Sequence, residues 1–182
     1  MPVQKVFAFG CESAEFLTPG NPPVYYPIKS VQEAEFGMEV DETDVKGDDD
    51  IQTTWLHSPK ATLKLKHAVI DPEVFERVTG NAVTTENGPP QIDSILLGTD
   101  SELEPPVFAV RLTLKARDAV TGTNKTFELY AYKCVGKIKL EGIKHGESVT
   151  VSIEAKCFRS ATDEYGQTLA EPARAKMRIK AS

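Results

Sequence analysis

Apolar residues recur at every second position along most of this chain. Ala34, Phe36 and Met38 alternate with Glu33, Glu35 and Glu39, so Ile28 to Val40 reads as a long strand with one apolar and one acidic face, interrupted at Gly37. Ile51 to His57 resumes strand character around Trp55, and Ser58-Pro59 reads as a turn. Ala61, Leu63 and Leu65 then alternate with Thr62, Lys64 and Lys66, the pattern of a half-buried antiparallel strand reaching Val69. The same period returns at Phe108–Leu114, Phe127–Leu140, Glu147–Arg159 and Ala173–Lys180. Within the second of these, Phe127, Leu129, Ala131, Lys133 and Val135 share a phase that shifts near Gly136, which predicts a bulge or bend there. Residues 3–9, with Val6, Phe7 and Phe9, and Ile92–Leu97 complete a set of about eight or nine strands, each with one wet face.

One stretch departs from the two-residue period. Asp71 is a good N-cap, Pro72 suits the first helical position, and Val74, Phe75 and Val78 form an apolar stripe that ends at Gly80. Ile70 and Phe75 occupy the positions of a hydrophobic staple, and Glu73 stands four residues before Arg77. The expected fold is therefore mainly β: an antiparallel β-sandwich or barrel with one short flanking α-helix over Asp71–Thr79. A length of 182 residues suits one domain, 1–182. Two irregular segments interrupt it. TPGNPPVYYP at 18–27 reads as a proline-rich N-terminal arm, with Tyr25 and Tyr26 free to pack on their own domain or on a neighbour. DETDVKGDDD at 41–50 reads as a solvated acidic loop, because such a density of like charge resists burial.

Charge adds an asymmetry. Residues 1–104 hold 19 acidic and 7 basic groups, net −12, and residues 105–182 hold 8 and 14, net +6, which together make the net −6 of the chain. Unlike patches that meet head to tail generate rings or filaments, and charge complementarity sets their register. The acidic loop, Asp41, Glu42, Asp44, Asp48, Asp49 and Asp50, and the basic last strand, Arg174, Lys176, Arg178 and Lys180, are the expected intersubunit contacts.

Catalytic chemistry finds no footing. His57, His67 and His145 lie in no recognisable nucleophile arrangement, and neither a G-x-S-x-G elbow nor a phosphate-cradling glycine loop exists, so the chain is not expected to be an enzyme or to need a cofactor. The aspartates of 41–50 offer oxygens for calcium, but the D-x-[DN]-x-[DN]-G spacing is missing. Cys11, Cys134 and Cys157 are widely spaced and form no CxxC pair, and the latter two read as buried, inert thiols. No apolar run nears the roughly 20 residues of a membrane span, and the N-terminus is not a secretory signal, so a cytosol-like compartment is expected.

AEFGMEV before an acidic loop, followed by KATLKLKHAVIDPEVFERVTGN, resembles the major tail proteins of long-tailed bacteriophages, the tail tube subunits, most sharply over residues 28–80. The resemblance implies hexameric rings stacked into a hollow virion tail tube, assembled in the host cytoplasm. It also implies partners among tape-measure and tail-terminator proteins, and DNA that crosses the lumen during ejection without specific binding. A lumen that lets DNA slide should be acidic or neutral, so Glu33, Glu35 and Glu39 are candidate lumen residues. The alternatives are another assembling β-protein, such as a capsid-decorating or secretion-tube subunit, and a monomeric calcium- or ligand-binding β-domain.

Overall fold

The computed structural model describes residues 6–46, 51–145 and 148–181. Twelve strands and one α-helix follow in order among these residues: β1 (Val6–Thr18), β2 (Val24–Ile28), β3 (Val31–Lys46), β4 (Ile51–His67), α1 (Pro72–Thr79), β5 (Val83–Glu86), β6 (Ile92–Ile95), β7 (Phe108–Asp118), β8 (Asn124–Glu141), β9 (Thr150–Cys157), β10 (Ser160–Thr162), β11 (Thr168–Ala173) and β12 (Ala175–Ala181). The fold is mainly β, as the alternation predicts. Eight strands form one antiparallel sheet in the order β2-β1-β7-β8-β9-β4-β3, and β12 also pairs with β8. Two small hairpins, β5-β6 and β10-β11, complete the structure.

Strand β8 organises the sheet. Its first part lies between β7 and β12, with Ala131 opposite Val110 on one side and Ala175 on the other. Its second part pairs with β9 from Cys134 to Glu141. The change of partner coincides with a change of phase. Leu129 and Ala131 face the main core, but the next core residue is Cys134, and the β7-β8 register slips between Phe108 and Val110. The irregularity therefore falls at Tyr132-Lys133 and not at Gly136, through which the β8-β9 register runs unbroken. Lys133 is exposed as a result, and Tyr130 and Tyr132 face a second cluster with Leu17 and Ala109. Gly136 has a different reason: a Cβ there would stand 2.8 Å from the Glu154 carbonyl oxygen and 2.9 Å from the Ala155 Cβ.

The main core gathers buried residues of six strands, among them Phe16, Leu63, Leu65, Val110, Leu112 and Ile153, with partly buried residues of β3 and β12 packed against it. Helix α1 adds Val74 and Val78 to it. The helix begins and ends where its local signals place it. Asp71 Oδ1 accepts from the Glu73 N–H at 3.1 Å, and Gly80, at φ +79°, closes the C-terminus with its N–H on the Glu76 carbonyl. Phe75 is buried as expected, while Ile70 stays 56% exposed.

The proline-rich arm ends in a strand. Residues 24–28 form the edge strand β2, where Pro27 leaves no central ladder bond unmade. Tyr25 and Tyr26 pack on their own domain. The Arg111 guanidinium lies 3.7 Å from the Tyr25 ring centre and that of Arg77 4.5 Å from Tyr26, whose hydroxyl donates to Asp71 Oδ2.

Candidate functional site

Strands β3 and β4 outrun the sheet. They pair with each other from Val31–His67 out to Lys46–Ile51, but β9 meets β4 only over Ala61–His67. The ten residues from Ile51 to Lys60 and their β3 partners therefore form a two-stranded ribbon roughly 30 Å long at about 3.3 Å per residue. Ser58-Pro59 lies inside β4 and is not a turn. The residues 41–46, expected in the acidic loop, continue β3. Asp48, Asp49 and Asp50 lie outside the described residues, as do the side chains of Glu42, Asp44 and His57. Of the acidic group only the Asp41 side chain is described, and it accepts from Lys60 Nζ at 2.9 Å.

The acidic face of β3 is half of a cross-strand pattern. Glu33 faces Lys66 at 3.1 Å and Glu35 faces Lys64 at 3.6 Å. Lys64 stands opposite Glu154 on β9, and Glu154 stands opposite Lys137 on β8. Glu154 lies 3.7 Å from Lys137 and 3.3 Å from Lys139. One transverse row thus reads Glu35, Lys64, Glu154, Lys137. These exposed pairs add little stability each. They do make the face electrically alternating where the sequence of β3 alone suggests a negative one. Glu39, opposite Lys60 in the register, belongs to the same face.

The basic strand β12 has its charge satisfied within its own chain. Lys176 Nζ donates to Glu164 at 3.1 Å, Lys180 Nζ to Glu128 at 2.9 Å, and Arg178 to both acids, through Nε at 2.9 Å and Nη1 at 3.3 Å. Arg174 Nη1 donates to the Cys157 carbonyl at 2.8 Å. Tyr132 and Tyr130 hydroxyls donate to Glu164 and Glu128 at 2.8 and 2.9 Å. Glu164 is fully buried. Burial alone would push its carboxyl up, but hydrogen bonds from the backbone, Tyr132 and Lys176 outweigh it and hold the pKa below the ordinary carboxylate range. Glu128 shows the same balance, with burial opposed by Lys180, Arg178 and Tyr130. Both tyrosines are pushed up, first by burial and then by these carboxylates. Glu164 escapes a reading by period because it sits in the turn of the β10-β11 hairpin. The available signal is Asp163 followed by Gly166: Asp163 Oδ1 accepts from the Tyr165 and Gln167 N–H groups and fixes that turn.

A cleft of about 770 Å³ opens at the turn end of the β7-β8 hairpin, lined by Glu12, Lys115, Arg117, Asn124 and Lys125. Its rim carries three basic side chains and one acid, with Glu12 at 3.8 Å from Lys115. Among the described residues, no three His, Cys, Asp or Glu side chains are grouped to hold a metal, and no helix is long and apolar enough to cross a membrane.

No protein-family model matches the chain, and no curated protein does. Among solved structures it is similar to a chain of the cryo-EM structure of the anti-feeding prophage (AFP) baseplate, 6-fold symmetrised, with 12% identity over 96% of each chain and a TM-score of 0.45. At that identity and TM-score the likeness carries no functional argument.

Proposed function

We propose that this chain is a structural subunit of a phage-type tail tube, which self-assembles into hexameric rings that stack around a channel for DNA. The observation that carries the reading is the β3-β4 ribbon. A two-stranded ribbon alone in water is marginally stable, and its open edges present unpaired N–H and C=O groups. Packing against another copy removes both liabilities. The likeness of AEFGMEV and KATLKLKHAVIDPEVFERVTGN to tail tube subunits falls on this ribbon's base and the helix behind it. The alternating face of β3, β4 and β9 has the charge balance a sliding polyanion requires, since uncompensated basic walls would hold phosphates.

The charge contact between copies is reassigned from β12, whose bases are already paired, to the basic cleft of Lys115, Arg117 and Lys125. That cleft receives the acidic end of a neighbour's ribbon. Replacing residues 42–56 by a short turn is the test: it leaves the sheet folded and abolishes higher-order assembly. A shortened chain that assembles like the full one removes the ribbon from the interface. Reversing Lys115, Arg117 and Lys125 to Glu weakens assembly, and added salt weakens that of the parent chain. Reversing Glu33, Glu35 and Glu39 alters DNA ejection and spares ring formation; unchanged ejection removes them from the lumen.

A further inference from the structure

Independently of assembly, we propose that Cys134 and Cys157 are an oxidisable dithiol, a modification site at which a small hydroperoxide closes a cross-strand disulfide between β8 and β9. The two residues are direct partners in the β8-β9 register, and their sulfurs stand 3.3 Å apart. Directly opposed residues in an antiparallel pair have Cα atoms about 4.5 or 5.5 Å apart, and both values fall in the disulfide range of about 4.4–6.8 Å. Closure needs the sulfurs to approach to about 2.05 Å, a movement that side-chain rotation supplies without breaking the ladder.

The sulfurs differ in surroundings. Cys134 is fully buried, and its Sγ also lies 3.8 Å from the Ala131 carbonyl. Cys157 is also buried, at 2% exposed, but it borders a cleft of about 320 Å³ with Pro59, Lys60, Phe158 and Arg174. Arg174 holds the Cys157 carbonyl, and its buried Nε has no hydrogen-bond partner among the described residues. The Cys134 thiol favours a Cys157 thiolate; burial opposes it and the Arg174 charge adds to it, and Cys157 is the sulfur that borders the cleft, so it is the reactive one.

The chemistry balances with peroxide as the oxidant. The Cys157 thiolate attacks one oxygen of hydrogen peroxide, the O–O bond breaks, and the leaving hydroxide takes up the equivalent of the proton that the Cys157 thiol released, giving water. The Cys134 sulfur then attacks the Cys157 sulfenic acid. The S–O bond breaks, the S–S bond forms, and a second water leaves with the Cys134 proton. The sulfurs lose two electrons and the peroxide gains them.

The test treats the full chain with hydrogen peroxide, then denatures it, alkylates it with N-ethylmaleimide and measures the intact mass. Reduced protein takes one adduct on each of Cys11, Cys134 and Cys157. Oxidised protein takes a single adduct, at Cys11, with a mass lower by two hydrogens, and dithiothreitol restores all three. Cys11→Ser still closes the bridge. Cys134→Ser stops at a Cys157 sulfenic acid that dimedone traps. Three adducts surviving peroxide that oxidises the methionines would overturn the proposal. A bridge through Cys11, or extra oxygens on Cys157 beside an alkylatable Cys134, would do so equally.

Discussion

Replacing Glu164 by alanine tests the buried charge network beneath β12. The substitution removes the acceptor of Tyr132, Lys176 and Arg178 at 2.8, 3.1 and 3.3 Å. Breaking a buried ion pair from one side costs about 3–5 kcal/mol. Two features lower that figure. The Lys176 side chain is 38% exposed and can turn to water, and Arg178 keeps Glu128. The Tyr132 hydroxyl is buried and loses this partner, at about 1–3 kcal/mol. A net loss of about 2–4 kcal/mol follows, and with about 2–4 °C per kcal/mol for a domain of this size Tm falls by roughly 5–15 °C. Glu164→Gln keeps the volume and a carbonyl acceptor and loses about half as much. The sign of the pH dependence is fixed by the depressed carboxyl. Its stabilisation is complete above the unfolded value of about 4.3 and is lost as pH falls through the folded one. The gap between parent and Glu164→Gln therefore narrows below about pH 4. Urea denaturation of monomeric protein at several pH values measures both effects. A Glu164→Ala variant within about 0.5 kcal/mol of the parent at pH 7, or a gap that does not change with pH, would refute the account.

Three further outcomes follow from other parts of the structure. Among the described residues, buried His67 has no well-formed hydrogen bond at either ring nitrogen, and burial pushes its pKa down against a weaker pull from the Val69 backbone and Asp71, so stability declines as pH drops below about 6.5 and His67→Leu flattens that slope in urea titrations. Gly136→Val forces a side chain against the Glu154 carbonyl and Ala155, and lowers stability by about 1–3 kcal/mol in thermal melts while the far-UV spectrum keeps its strand signature. Asp71→Ala removes both the helix cap and the Tyr26 acceptor, at about 1–2 kcal/mol, and Asp71→Asn recovers most of the cap, as equilibrium denaturation would read.

The parts of the fold that local chemistry decides were legible in advance. Helix α1 needs only its cap, its proline and its glycine, and those signals lie within ten residues of one another. The alternation of β4 and β9 equally names their core residues. What period alone cannot say is which face of a strand is covered. In β12 the apolar Met177 is 70% exposed while Lys176 and Arg178 turn toward buried acids. Glu128 and Glu164 decide that orientation, and they come from a neighbouring strand and a separate hairpin. The slip at Tyr132-Lys133 is hidden for a similar reason: it depends on β8 exchanging β12 for β9 along one edge. The ribbon was hidden because acidic residues suggest a loop, whereas β4 supplies nearly every β3 residue, the acidic ones included, with a ladder partner. The extent of charge pairing was also hidden, since Glu35, Lys64, Glu154 and Lys137 come from four strands.

Self-assembly is the central claim, and negative-stain electron microscopy of the concentrated, purified chain tests it most directly. The account predicts six-fold rings, or tubes built by stacking them, that are lost when residues 42–56 are replaced by a short turn. Particles that stay monomeric at every concentration and salt condition would contradict it.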